Sequence, residues 1–233
     1  MTTVLHIGCS PRGSSSESFQ LSRHIVDMLL HTYPAAHVVN RMIGGNAMLH
    51  VDADYAMSQK SAFDVSNEGS MIESEELIRE LESADIVVVG TPVHNFTVPS
   101  ALKAWIDHVV RVRRTFDVSP GGKVPLLHDR PVLIAASSGG RFTGEHARQP
   151  DFLRPYLEAI LGIIGLHDVT FFTVEGTSAG SEALTQSREQ ARRAVREHFA
   201  TLRSAVRAVK SPSTVAMPSA DERSRGLVTT SRD

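Results

Sequence analysis

A single cysteine, Cys9, in 233 residues excludes an internal disulfide. Folding must then rest on a packed core, and such a chain suits the reducing cytoplasm. No window approaches the roughly 18 uncharged apolar residues that a membrane-spanning helix needs. The opening MTTVLHIG places no basic segment ahead of its apolar run, so neither membrane insertion nor secretion is expected. An excess of one charge is also missing, with 24 basic against 26 acidic side chains and a formal net charge of −2. Without a basic stripe interleaved with aromatics, the chain has no electrostatic footprint for nucleic acid. Its 11 histidines form no HxxxH or HExxH pair, and no metal site is assigned.

What is present is alternation. Short apolar runs bounded by turn residues stand at VLHIG near residue 4, HVVN near 37, DIVVVG at 85, PVLIAA at 131 and DVTFFTV at 168. The intervals carry helical spacing: Leu21, Ile25, Met28 and Leu29; Leu102, Trp105, Ile106 and Val109; Phe152, Tyr156, Ile160, Leu161 and Ile164. Ser70 and Glu73 have the spacing of a capping box ahead of Leu77, Ile78 and Leu81. A last helix starts near Ser181 and carries a stripe through Leu184, Ala191, Val195, His198, Leu202 and Val206. Strands without polar alternation fit a parallel sheet covered on both faces, so the expected fold is a doubly wound α/β domain with five parallel strands over residues 1–210. Two stretches break the alternation: 44–69, and 116–130, where SPGGK reads as a hairpin turn. From Ser211 periodicity is lost, and 211–233 is expected to be a mobile tail.

In such folds a ligand lies beyond the carboxyl ends of the strands where their order reverses. The loop after the first strand, GCSPRGSSSES, spaces Gly8 and Gly13 as a Walker A loop does, but Ser14 and Ser15 follow where Lys and Ser or Thr belong. GxGxxG is absent as well. What remains is a run of hydroxyls, Ser10, Ser14, Ser15, Ser16 and Ser18, at a helix start. Amides and helix dipole there suit a terminal monophosphate; a Ser-rich turn with an ordinary cap is the competing reading. After the third strand, His94, Asn95 and Phe96 precede a helix introduced by Pro99 and Ser100, a place for a flat heteroaromatic ring. After the fourth, SSGGR lets backbone approach a ligand at Gly139 and Gly140.

The segments SPRGSSSESFQLS, PVHNFTVPSALKAWIDHVVR, TF at 115 and SSGG at 137 resemble the FMN-dependent NADH azoreductases, which are flavodoxin-like quinone reductases. The likeness runs from about residue 4 to 203, and NFxxPSxLKAWID is its most specific part. It implies bound FMN, NADH or NADPH as cosubstrate, ping-pong transfer to a quinone or azo acceptor, and a homodimer with flavin at the interface. It assigns the FMN phosphate to Ser10, Ser16, Glu17 and Ser18. The isoalloxazine falls to Val93, His94, Asn95, Phe96, Ser137, Ser138, Gly139 and Gly140. His94 stands where the family often has Tyr and is the candidate proton donor; Val118 lies near an often aromatic position. The cofactor carries the chemistry, so no nucleophile is expected. The alternatives are a flavodoxin-like electron carrier, disfavoured by the near-neutral charge, or a flavin or quinone reductase without an azo substrate.

Other residues have plainer readings. Cys9 is expected to be a buried structural thiol, and Trp105 shares a helical face with Leu102 and Val109 and belongs to the core. Phe116 is placed at the border of the flavin. Arg111, Arg113 and Arg114 are either a solvated helix end or contacts for the NADH phosphates.

Overall fold

The computed structural model describes residues 1–45, 48–64 and 67–210, with side chains as far as Leu202. The expected tail, 211–233, lies outside the described residues. In chain order the strands are β1 (Thr3–Gly8), β2 (His37–Met42), β3 (Ile86–Pro92), β4 (Phe116–Ser119), β5 (Gly122–Pro125), β6 (Val132–Ser137) and β7 (Val169–Val174). The helices are α1 (Glu17–Thr32), α2 (Ala53–Ser58), α3 (Ser70–Ser83), α4 (Ser100–Val109), α5 (Leu153–Ile163) and α6 (Ser181–Lys210). Five strands pair in parallel in the order β2-β1-β3-β6-β7. The order therefore reverses between β1 and β3, whose carboxyl ends form the crevice in such a sheet.

Both faces of the sheet are covered, which explains the unbroken apolar strands. Leu5, Ile7, Val87, Val89, Ile134 and Ala136 pack with Leu77, Ile78, Leu102, Trp105, Leu157 and Leu161 of α3, α4 and α5. Their strand neighbours Val4, Ile86, Val88, Leu133 and Ala135 pack with Leu21, Ile25, Val195 and Phe199 of α1 and α6. Trp105 is core, as its spacing predicts. Among the polar residues buried in the strands, His6 of β1 is the titratable one. Its Nδ1 lies 3.1 Å from Asn40 Oδ1 and its Nε2 2.8 Å from Ser22 Oγ, so both ring nitrogens have partners. Burial lowers its pKa from the ordinary histidine range.

Three local expectations change. The capping box at Ser70 does not form: Gly69 occupies the cap position, and Asp52 does the capping from a distance. Asp52 Oδ1 accepts from the Tyr55 amide at 2.9 Å and Oδ2 from the Ser70 amide at 3.0 Å, so one carboxylate starts both α2 and α3. Its charge at two helix N-termini is favoured by both dipoles. Helix α2 itself lies within the stretch read as an irregular insertion. On α6 the buried line runs through Ala191, Val195 and Phe199, whereas Leu202 is 44% exposed. The stripe is shifted because Phe199, one turn after Val195, takes the place assigned to His198; the side chain of Val206 lies outside the described residues. His198 instead meets Phe172 edge-on at 5.6 Å. The SPGG turn does close an antiparallel hairpin, β4–β5, with Ser119 opposite Gly122.

Candidate functional site

The loop between β1 and α1 is shaped by its own backbone and by β2's exit. Cys9 donates its amide to Gly90 O of β3 at 2.8 Å, and Gly13 to Ser10 O at 3.1 Å. The chain leaving β2 passes so close that a Cβ on Gly44 would stand 2.1 Å from Ser10 O; only glycine fits. Ser16 caps α1, accepting from the Phe19 amide at 3.3 Å and donating its own hydroxyl to Gly13 O at 2.9 Å. Ser10 Oγ accepts from the Arg12 amide at 3.2 Å.

Two helix amides, of Glu17 and Ser18, remain at the first positions of α1, where no preceding turn supplies an acceptor. The Ser18 hydroxyl is buried without a partner, a costly arrangement that an anion or its hydration would relieve. These features fit a phosphate group. The Glu17 carboxylate does not face the loop: Arg188 of α6 holds both of its oxygens, at 2.7 and 2.5 Å. Of Glu17, the main-chain amide is thus the part suited to an anion.

After β3 the chain makes a tight reversal. His94 and Thr97 exchange both backbone hydrogen bonds, at 2.9 and 3.0 Å, around Asn95 at φ 49° and Phe96 at φ 69°. Two consecutive left-handed residues give a type I′ turn. Asn tolerates that region, whereas Phe is strained there, by about 1 kcal/mol. The turn is anchored at each side, by Val93 N to Ser137 O at 2.7 Å and by Phe152 N to Phe96 O at 3.3 Å. His94, Asn95 and Phe96 are exposed, and Val93 is half-buried.

Beyond β6, Ser137 and Ser138 are buried. Gln149 Nε2 donates to Ser138 Oγ at 3.0 Å. A Cβ on Gly140 would meet Gln149 Oε1 at 2.5 Å, and one on Gly139 would meet Ser178 Oγ at 2.8 Å. The glycines that the sequence offered for close approach of a ligand are thus already required by two side chains of the protein itself. Glu175 completes the support, accepting from Phe142 N and Thr143 N and, at 2.5 Å, from Thr143 Oγ1. Gln149, Glu175, Gly44 and Arg188 went unnoticed in the sequence; none belongs to a local motif.

Neither reading of the arginine cluster describes the structure. Arg111 is buried, pairing with Asp64 and, at 3.5 Å, with Glu75. Arg113 donates to the carbonyls of Ser61 and Ser58 at 2.6 and 2.7 Å, and Arg114 engages Glu75 and Glu82. The three tie the segment after α2 to α3, because guanidinium forks match several acceptors at once. A cavity of about 880 Å³ lies beside them, lined by Met71, Glu76, Arg79 and Glu80 among others, away from the strand-end loops. Cys9 is buried, and burial pushes its thiol pKa far up. Phe116 is buried, with Lys123 5.0 Å over its ring.

A family model described as a flavodoxin-like fold matches residues 2–199. FMN-dependent NADH:quinone oxidoreductase 4 of Pseudomonas fluorescens is 44% identical over 198 residues, covering 84% of this chain and 94% of that protein. FMN-dependent NADH:quinone oxidoreductase 5 of Burkholderia lata is 43% identical over 190 residues, covering 82% and 93%. Among solved structures, an azoreductase from Bacillus anthracis str. Sterne matches with a TM-score of 0.70 at 23% identity, over 84% of this chain and all of that one. That match is a likeness of fold.

Proposed function

The chain belongs to the flavodoxin-like family of FMN-dependent NADH:quinone oxidoreductases, and from that premise we propose how its residues serve the reaction. It is an FMN-dependent oxidoreductase that passes electrons from NADH to quinone and azo acceptors. Bound FMN would supply the hydride and electron chemistry between the nicotinamide and the second substrate, and the residues below bind and orient it.

The observation that carries the site assignment is the β1–α1 loop at the strand reversal, with two uncommitted helix amides and an unpartnered buried hydroxyl on Ser18. There Ser10, Ser16 and Ser18, with the Glu17 amide, hold the phosphate. The 93–96 turn and the 137–140 turn hold the ring system, the backbone reading its polar edge and Phe96 supplying an apolar face. His94, exposed at that turn, is in this reading the residue that passes a proton to the acceptor.

A homodimer with the flavin at its interface is part of this reading. It is supported by exposed apolar side chains on and beside the site turn, Phe96 at 44% and Phe152 at 57%, which a second copy would cover. A fold independent of disulfides supports a cytoplasmic setting. Among the described residues no helix is long and apolar enough to cross a membrane.

Steady-state NADH oxidation by the FMN-loaded chain, with and without a benzoquinone, tests the assignment. Turnover that rises with quinone and gives parallel double-reciprocal lines is expected. Slow transfer confined to a redox protein would instead favour the electron carrier.

A further inference from the structure

We infer that Arg188 is a positioning residue for the FMN phosphate, acting through Glu17; the inference rests on the assignment of that phosphate to the β1–α1 loop. Glu17 is the first residue of α1, directly between Ser16 and Ser18. A carboxylate there favours the helix by itself. It also competes with any anion lodged on the same amides, because like charges a few ångströms apart repel and the N-terminal field is shared.

The structure resolves this conflict by turning the carboxylate away. Arg188 Nε donates to Oε2 at 2.7 Å and Nη2 to Oε1 at 2.5 Å, a two-pronged grip that fixes the side chain's direction as well as its charge. The Glu17 side chain is only 13% exposed, so its neutralisation is less screened than at an open surface. The grip holds the Glu17 carboxyl below the ordinary carboxylate range, with Arg12 and Arg192 adding smaller contributions. Glu17 thus remains ionised beside the phosphate while contributing little net negative field. The pair also joins the N-terminus of α1 to α6, next to Leu21 and the β7 residue Val174.

The test is titration of the flavin-free full chain with FMN and with riboflavin, which differ by the phosphate. Arg188→Met should weaken FMN binding roughly fivefold and leave riboflavin unchanged. Arg188→Lys, which keeps the charge but loses the fork, should recover most of the difference. In a Glu17→Gln background Arg188→Met should have no further effect, since the charge to be neutralised is gone. An equal loss for both flavins, or a loss that persists in the Glu17→Gln background, would overturn the inference and leave Arg188 a mere tie between helices. Equal affinity of the unsubstituted chain for FMN and riboflavin would overturn the phosphate assignment itself, before any variant is made.

Discussion

The turn at 94–97 and the segment 52–64 are held by different forces. The turn is a backbone object: paired amides and carbonyls fix it, and its side chains face outward. The segment is a side-chain object. Asp52 starts two helices from it, Tyr55 donates its hydroxyl to Asp107 O at 2.5 Å, and Arg111 and Arg113 bind it from the segment that follows α4. A loop fixed by backbone leaves its side chains free to meet a ligand. A loop fixed by its side chains has spent them on stability.

That contrast is most easily broken at Arg111. Its guanidinium is buried, so Arg111→Met removes a buried partner from Asp64 and Glu75, which keep Arg113 and Arg114 and, at about 30% exposure, can partly rehydrate. A loss of about 2–3 kcal/mol is expected, seen as a melting temperature lower by roughly 5–10 °C. An unchanged melting temperature would mean that packing around Tyr55, rather than charge, holds the segment.

Arg114 sharpens the comparison through pH. Its hydrogen bonds are the main reason that the Glu75 carboxyl lies below the ordinary range. A depressed acid contributes stability that is present above its unfolded pKa and is lost as the pH falls through the folded one. With side chains 30% and 28% exposed, screening keeps the contribution to about 1 kcal/mol or less. Arg114→Gln should therefore melt a few degrees below the parent at neutral pH, and the two should converge as the pH falls through the depressed pKa of Glu75, below the ordinary carboxylate range. A gap that persists in acid would assign the stabilisation to the guanidinium's packing.

The smallest stability effect is expected at Phe96. Replacing it by glycine relieves a left-handed phenylalanine but adds freedom to the unfolded chain, and the two offset to within about 0.5 kcal/mol. Flavin affinity should nevertheless fall, because the apolar face is gone. Unfolding and flavin titration on the same sample separate the two. A large stability loss would show that Phe96 is structural.

The same division governs what could be read from the sequence. All five strands of the main sheet were legible: β1, β3 and β6 are nearly continuous apolar runs covered on both faces, and the edge strands β2 and β7 still carry short Val and Phe runs between turn residues. The β4–β5 hairpin was legible from SPGG, and the three strand-end loops from glycine, serine and proline placed by local backbone rules. The Asp52 double cap was not, because its second helix begins 18 residues on and nothing local links Ser70 to Asp52 rather than to Glu73. Nor was the pairing of Glu17 with Arg188, 171 positions apart: which of several arginines meets a given carboxylate is decided by how α6 lies across the sheet. A signal for α2 was present, in an aspartate ahead of ADYAMS, but six residues are too few for periodicity to reveal a helix.

Cys9 has a chemical consequence for an enzyme of this kind. Quinones are Michael acceptors as well as oxidants, and a thiolate that meets one is arylated. This chain carries a single sulfhydryl, buried at the start of the β1–α1 loop with its proton held tightly by burial. Thiol addition requires the exposed anion, and here the native protein offers none. The protein that reduces such electrophiles is therefore protected at sulfur from alkylation by its own substrates for as long as it stays folded.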